Sequence, residues 1–194
     1  MLARTVAPLL AALLLATGPA RAAEGEAGEA PAEGRFTVQT AYSEQIDTVH
    51  FLNADIEFAL SAAALKALES SLPLTVKIEI EILRDRRFMW SETVARLEHV
   101  DQIAYHPLTQ RYLVRELATG EVESFASYRA AIARLGRVSD VPLIDSGLLD
   151  LKSRYRVRIR AVLDISEYAA PLRVYASLWD SWTIASDWYE WRLQ

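Results

Sequence analysis

Four arginines at alternate positions, Arg154, Arg156, Arg158 and Arg160, have the plainest chemical capacity in this sequence. On an extended strand such side chains leave one face about 6.6 Å apart, twice the rise per residue. Guanidinium forks at that spacing can grip phosphates or an acidic partner in bidentate fashion. The competing reading is structural. Glu79 and Glu81 alternate along an equally regular stretch, and opposite charges facing across a sheet contribute a few tenths to about 1 kcal/mol per pair. We weight pairing above ligand binding.

Two further constellations could bind. Arg84, Arg86 and Arg87 run directly into Phe88, Met89 and Trp90, a basic and aromatic knot that could meet lipid head groups or a protein partner. Its plainer reading is a solvated charge run beside a buried aromatic plug. Near the C-terminus stand Trp179, Trp182, Trp188 and Trp191, with Tyr175 and Tyr189. Exposed, these rings would stack on a sugar or peptide; buried, they would close a core. Strand alternation places Trp182 and Trp188 on one face and Tyr189 and Trp191 on the other. We assign the first pair to the core and keep Tyr189 and Trp191 as ligand or interface candidates.

Catalytic chemistry finds less support. The histidines are His50, His99 and His106, and none has the spacing of a zinc motif on one helix. Glu98, His99 and Asp101 would form a metal corner only if a bulge turned them together. Past the first 33 residues the glycines are Gly34, Gly120, Gly136 and Gly147, too scattered for a P-loop or a dinucleotide fingerprint. There is no G-x-S-x-G elbow and no Ser-x-x-Lys, and no carboxylate pair stands out as a glycosidase would require. Without cysteine there is no thiolate nucleophile, disulfide, iron-sulfur ligand or lipid attachment point. The formal charge is −5, whereas nucleic-acid binding usually shows a basic domain. We therefore expect no catalytic residue, no metal, no cofactor, no nucleotide and no nucleic acid.

The elements that would position these residues follow from periodicity. Phe36, Val38, Thr40 and Tyr42 share one face of a strand, and Leu52, Ala54, Ile56, Phe58 and Leu60 share one face of the next. Ser61 caps a short helix over 62–70 that Pro73 terminates. Val76, Ile78, Ile80 and Ile82 alternate with Lys77, Glu79 and Glu81. Strands over 94–105 and 111–117 are joined by a turn at His106-Pro107, with broken alternation that suggests a bulge. Ser127 opens a second helix, and Gly136 sits where a left-handed cap residue belongs. A loop with Pro142 and Gly147 leads to a strand of Tyr155, Val157, Ile159, Ala161 and Leu163. Residues 171–178 are ambiguous, and 182–191 read as a terminal strand. Strands that outnumber helices without regular alternation imply an α+β fold: a mainly antiparallel β-sheet of long strands with two short helices packed on it.

The opening residues read as an export signal. Arg4 is the positive region, Val6 to Ala16 the apolar run, and Ala20 and Ala22 fit a cleavage site before Ala23. A spanning helix needs about 20 apolar residues, roughly twice that run. Residues 23–35, mostly Ala, Gly, Glu and Pro, read as a disordered linker, and residues 36–194 as one α+β domain. The expected address is the periplasm or another extracytoplasmic space, with no transmembrane segment in the mature chain.

Several strings taken together resemble a known family. They are Arg84-Asp85-Arg86-Arg87-Phe88-Met89-Trp90, Tyr105-His106-Pro107-Leu108-Thr109-Gln110-Arg111-Tyr112, Leu163-Asp164 followed by Pro171-Leu172-Arg173, and Trp182-Thr183-Ile184-Ala185-Ser186-Asp187-Trp188. In that order they are similar to the exported bacterial proteins catalogued as domain of unknown function 4390. One departure is Tyr168-Ala169-Ala170, where the family pattern implies Leu-Pro before the Pro-Leu pair. The resemblance carries no activity or ligand; it implies an envelope protein partner, such as a membrane sensor. The expected function is a non-catalytic binding or accessory domain acting through a protein partner. A carbohydrate- or lipid-binding module using the C-terminal aromatics is the alternative, and an unrecognised hydrolase is third. Peripheral membrane contact stays open.

Overall fold

The computed structural model describes residues 33–86, 90–164 and 184–193. In chain order these form β1 (Arg35–Ile46), β2 (Val49–Ala59), α1 (Ala62–Glu69), β3 (Leu74–Arg84), β4 (Glu92–His106), β5 (Arg111–Glu116), β6 (Val122–Phe125), α2 (Tyr128–Leu135), β7 (Arg137–Asp145), β8 (Tyr155–Asp164) and β9 (Tyr189–Arg192). They build a three-stranded sheet in the order β1-β2-β7 and a six-stranded sheet in the order β6-β5-β4-β3-β8-β9. All the strand pairs are antiparallel. The α+β, mainly antiparallel β class expected from periodicity is what the chain adopts.

Alternation explains the core. Ile78, Ile80 and Ile82 of β3 and Val157 and Ile159 of β8 turn one way and are at most 1% exposed. They join Leu52, Ala54, Ile56 and Phe58 of β2 in one apolar cluster. Each fully buried side chain of this kind stabilises by about 1.5–3 kcal/mol. The intervening residues of β3 and β8 carry charge and face outward, so the large sheet has one apolar and one ionic surface.

Both short helices start at serine. Ser61 Oγ accepts from Ala64 N at 3.1 Å and Ser127 Oγ from Ala130 N at 3.3 Å, each satisfying a donor that the helix cannot. α1 buries Ala64 and Leu68. α2 buries Ala131 and Leu135 and lies against β4, β5, β6 and β7. Tyr128 opens α2 under cover, and burial pushes its phenol up to about 12.

Several sequence expectations change, and one strand is new. In β1 the register shifts between Val38 and Thr40, so Ala41 turns inward and Tyr42 is 55% exposed; a bulge inserts one residue and flips every side chain beyond it. Residues 137–145, read as loop, are strand β7. Pro142 is tolerated there because β7 is an outer strand with no neighbour on its far side among the described residues. Strand β6 had no expectation at all, being only four residues long. Finally, Arg35, placed in the linker from sequence, is already in β1. A Cβ on Gly34 would stand 2.2 Å from Ile184 Cδ1 and 2.8 Å from Ser61 N. The rest of the stretch read as linker, the residues read as an export signal and residues 171–178 lie outside the described residues.

Register defines two ends of the sandwich. One end brings together Gly34, Ser61 and Ile184, with the β4–β5 turn alongside, since Ile103 pairs with Leu74. The other holds the β1–β2 turn, the β3–β4 connection and the loop from β7 to β8. There Ser146 N donates to Thr48 O at 2.6 Å and Asp85 N to Arg154 O at 2.9 Å.

Candidate functional site

On the outer face of the large sheet the arginine ladder meets the glutamates of β3. Arg158 pairs with Glu81 as its Cα partner and Arg160 with Glu79. Arg158 reaches Glu81 Oε2 through Nη2 at 2.6 Å and Nε at 3.0 Å. Arg160 Nε donates to Glu79 at 2.7 Å, and Arg96 Nε of β4 to the other oxygen of Glu81 at 3.1 Å. Burial would raise the Glu81 pKa, yet hydrogen bonds and charge from Arg158 and Arg96 outweigh it, so the carboxyl is held below its ordinary value. Arg156 takes Asp85 at 2.8 Å and also contacts Glu190. Cross-strand pairing, the structural reading of the ladder, is the observed geometry. Arg154 leaves the set: it precedes β8, and only its backbone carbonyl is tied down.

The C-terminal rings sit on the faces opposite to those assigned from sequence. Tyr189 is opposite Ile159 and Trp191 opposite Val157, so both turn toward the core and pack against it. Trp188 is half-buried on the ionic side, where the guanidinium carbons of Arg158 and Arg160 lie 4.4 and 4.7 Å from its ring centroid. The alternation argument put the residues on two faces correctly. It could not choose which face was apolar, because that depends on which side of β8 the strand meets. Trp179 and Trp182 lie outside the described residues.

A groove follows from how the two sheets end. β1 is the outer strand of the small sheet and β9 of the large one. At one end Gly34, just before β1, packs on Ile184, upstream of β9. At the other, Trp191 Nε1 donates to Ser43 Oγ at 3.2 Å. Between those fastenings lies an open groove of about 540 Å³, lined by Arg35–Val38 on one side and Ala185, Asp187, Trp188 and Tyr189 on the other. Among the described residues no strand pairs with the outer edge of β1. Such an edge presents unpaired N–H and C=O groups to whatever lies beside it. Nothing in the sequence announced this groove; only the end-to-end placement of residues 35–38 and 185–189 makes it.

The basic and aromatic knot is split. Arg84 Nε donates to Glu92 at 3.1 Å and Arg86 pairs with Glu92 at 2.5 Å. These two hydrogen bonds, to Arg86 and Arg84, hold the Glu92 carboxyl below its ordinary value. Trp90 is no buried plug: it is 94% exposed. Arg87 and Phe88 lie outside the described residues.

The histidines have local partners or burial. His106 is exposed with Thr109 Oγ1 at 3.2 Å, and His50 is buried, which lowers its pKa. His99 shares the inner face of β4 with Asp101, its Nε2 3.1 Å from Asp101 Oδ2 and its Nδ1 3.9 Å from Glu116. Burial lowers the His99 pKa, Asp101 and Glu116 raise it, Arg134 opposes them, and the net shift is upward. Glu98 is exposed on the other face, so the three do not converge as a metal corner.

The upward shift fixes a sign. A cation stabilised in the folded state contributes fully below its unfolded value of 6.5 and is lost as pH rises through the folded value. His50, shifted down, does the reverse and loses its contribution as pH falls. His99→Gln should therefore flatten the alkaline side of the stability profile. Thermal melts from about pH 6 to about pH 8 should show wild type losing more than the variant; parallel curves would show that His99 is not charged in the fold.

No curated protein and no solved structure matches the chain. The strings named from sequence and the antiparallel fold agree with a family assignment that spans every described element. Matched over residues 33–192, the chain belongs to the family described as Domain of unknown function (DUF4390).

Proposed function

We propose that the protein is an exported accessory domain, without catalytic activity of its own, that binds an extended segment of another envelope protein. The observation that carries this reading is the groove between the edges of β1 and β9. Strand addition to a sheet edge takes its affinity from main-chain hydrogen bonds and its selectivity from pockets for alternate side chains. Arg35–Val38 is long enough to pair with about four residues of an incoming strand at about 3.3 Å per residue. Arg35, Thr37 and Asp187 supply polar neighbours, and Val38 and Tyr189 apolar ones. Export is supported by the residues from Arg4 to Ala22, and a membrane sensor fits as partner because its outer segment shares that compartment.

A photo-crosslinking residue at Thr37 or Asp187, in intact cells, should give protein adducts that the same probe at Thr119, on the exposed β5–β6 turn, does not give. Equal yields at all three positions would overturn the reading. A second reading has one observation in its favour: Trp188 and Tyr189 both line the groove, as a sugar-stacking platform would. Adducts that carry glycan strands and no protein would select it, although Arg158 and Arg160 already occupy the Trp188 ring.

A further inference from the structure

At the end of the sandwich away from the groove, two loops are fastened side by side. Arg156 Nη2 donates to Ser91 Oγ at 2.7 Å and Asp85 N to Arg154 O at 2.9 Å, tying the β3–β4 connection to the segment before β8. Among the described residues, four large apolar side chains are more than three-quarters exposed, and three stand on these loops: Trp90 at 94%, Leu148 at 78% and Leu151 at 98%. A single exposed leucine needs no explanation. Three on one end, with the broad ring of Trp90 among them, do.

Basic groups stand on the same two loops. Asp85, Arg86, Lys152, Ser153 and Arg154 line an open hollow of about 490 Å³. The acids nearby are turned onto partners: Asp85 onto Arg156, Glu92 onto Arg84 and Arg86, and Asp150 onto Lys152 N and the Ser153 hydroxyl. Lys152 and Arg154 are exposed and make no ion pair among the described residues. The hollow thus offers two cations, Lys152 and Arg154, without an ion-pair partner among the described residues.

We infer that this end docks on a bilayer containing anionic phospholipid. Trp90, Leu148 and Leu151 enter the interfacial zone, where tryptophan is favoured for its apolar body and polar N–H. Lys152 and Arg154 face the headgroup phosphates. A protein interface would instead present an apolar centre with a polar rim; here the hollow is lined by charged and polar residues, with Trp90, Leu148 and Leu151 outside its lining. Among the described residues no helix is long and apolar enough to cross a membrane, so the contact is peripheral. Through β8, Tyr189 and Ala185 of the groove stand level with Ile80 and Lys77 of β3, so at about 3.3 Å per residue docking holds the groove roughly 13–23 Å beyond the Arg84 end of that strand. The inference does not depend on what the groove binds.

The test is co-sedimentation of the chain beginning at Ala23, which keeps every described element, with phosphatidylcholine vesicles that contain or lack phosphatidylglycerol. The chain should sediment only with the phosphatidylglycerol vesicles. Lys152→Glu with Arg154→Glu should weaken partitioning roughly 25-fold or more, since each basic residue near an anionic surface is worth about a factor of five and the new carboxylates are repelled. Leu148→Ser with Leu151→Ser should weaken it about tenfold or more. Circular dichroism and melting temperature should be unchanged, because all four side chains are exposed. No sedimentation by the wild type overturns the inference. So does loss on charge reversal with full retention in the leucine variant, which would show a purely electrostatic association without insertion. Competition by millimolar inorganic phosphate alone would reassign the hollow to a free anion.

Discussion

Replacing Arg158 with Glu should lower stability by about 3 kcal/mol. Arg158 closes two hydrogen bonds onto Glu81, whose side chain is only 14% exposed, and its guanidinium lies over Trp188. The substitution removes that charge-assisted pair and the ring contact and sets two carboxylates facing across β3 and β8. Arg96 remains on Glu81 but cannot neutralise both. In a chain of this size the melting temperature should fall by about 6–12 °C. The reverse change made together with it, Glu81→Arg, should recover most of the loss, because the partners then face each other with signs exchanged. Recovery identifies the ladder as structural. A chain in which Arg158→Glu leaves the melt unmoved, while an anionic ligand is lost, would show that the ladder was built for a ligand.

Gly136→Val should cost a similar amount, about 3 kcal/mol, for a different reason. Gly136 follows α2 with φ −76° and ψ −13°, ordinary right-handed values that any residue adopts. The sequence expectation of a left-handed cap is therefore wrong. Glycine is needed for space: a Cβ would stand 2.1 Å from the carbonyl oxygen of Ile56. That approach is fixed by Ile56 N donating to Gly136 O at 2.8 Å, so backbone must part from backbone to admit a side chain. Chemical denaturation should show a lower midpoint with an unchanged slope. Gly136→Ala should already show most of the destabilisation of Gly136→Val, since the clash is at Cβ itself. If alanine were neutral and valine severe, the obstruction would lie further out and the close approach would be refuted.

The two variants probe different links of the same assembly. Arg158 acts on the outer face, where exposed ion pairs are individually weak and matter through the half-buried Glu81 they share. Gly136 acts where α2 passes into β7 and touches β2, so its loss loosens the small sheet whose β1 edge forms the groove. A Gly136→Ala chain that still folds should therefore lose crosslinking at Thr37 before it loses contact with vesicles, whose loops sit at the other end.

Strands β2, β3 and β8 were legible in the sequence because period-two alternation is a local property: each residue's face follows from its neighbour's. Both helix starts were legible for the same reason, since a serine cap acts within three residues. The pairing of Glu79 and Glu81 with the arginines could be proposed from two equally regular strands, but their register of Glu81 on Arg158 could not. Where a local rule was interrupted, reading failed. One bulge at Val38 to Thr40 inverted the far half of β1, and Pro142 disguised an outer strand as a loop.

What the sequence determined alone, then, is the alternation that gives each strand an apolar side, together with the caps and the family strings, all of which depend on residues close in the chain. Tertiary structure decided which side of β9 is the apolar one, why Gly136 must lack a side chain, and that β1 and the segment before β9 leave a groove. It also decided that Trp90, Leu148 and Lys152 share one end. Each of these depends on segments tens of residues apart meeting at a particular register, and register is a property of paired strands that no single strand carries.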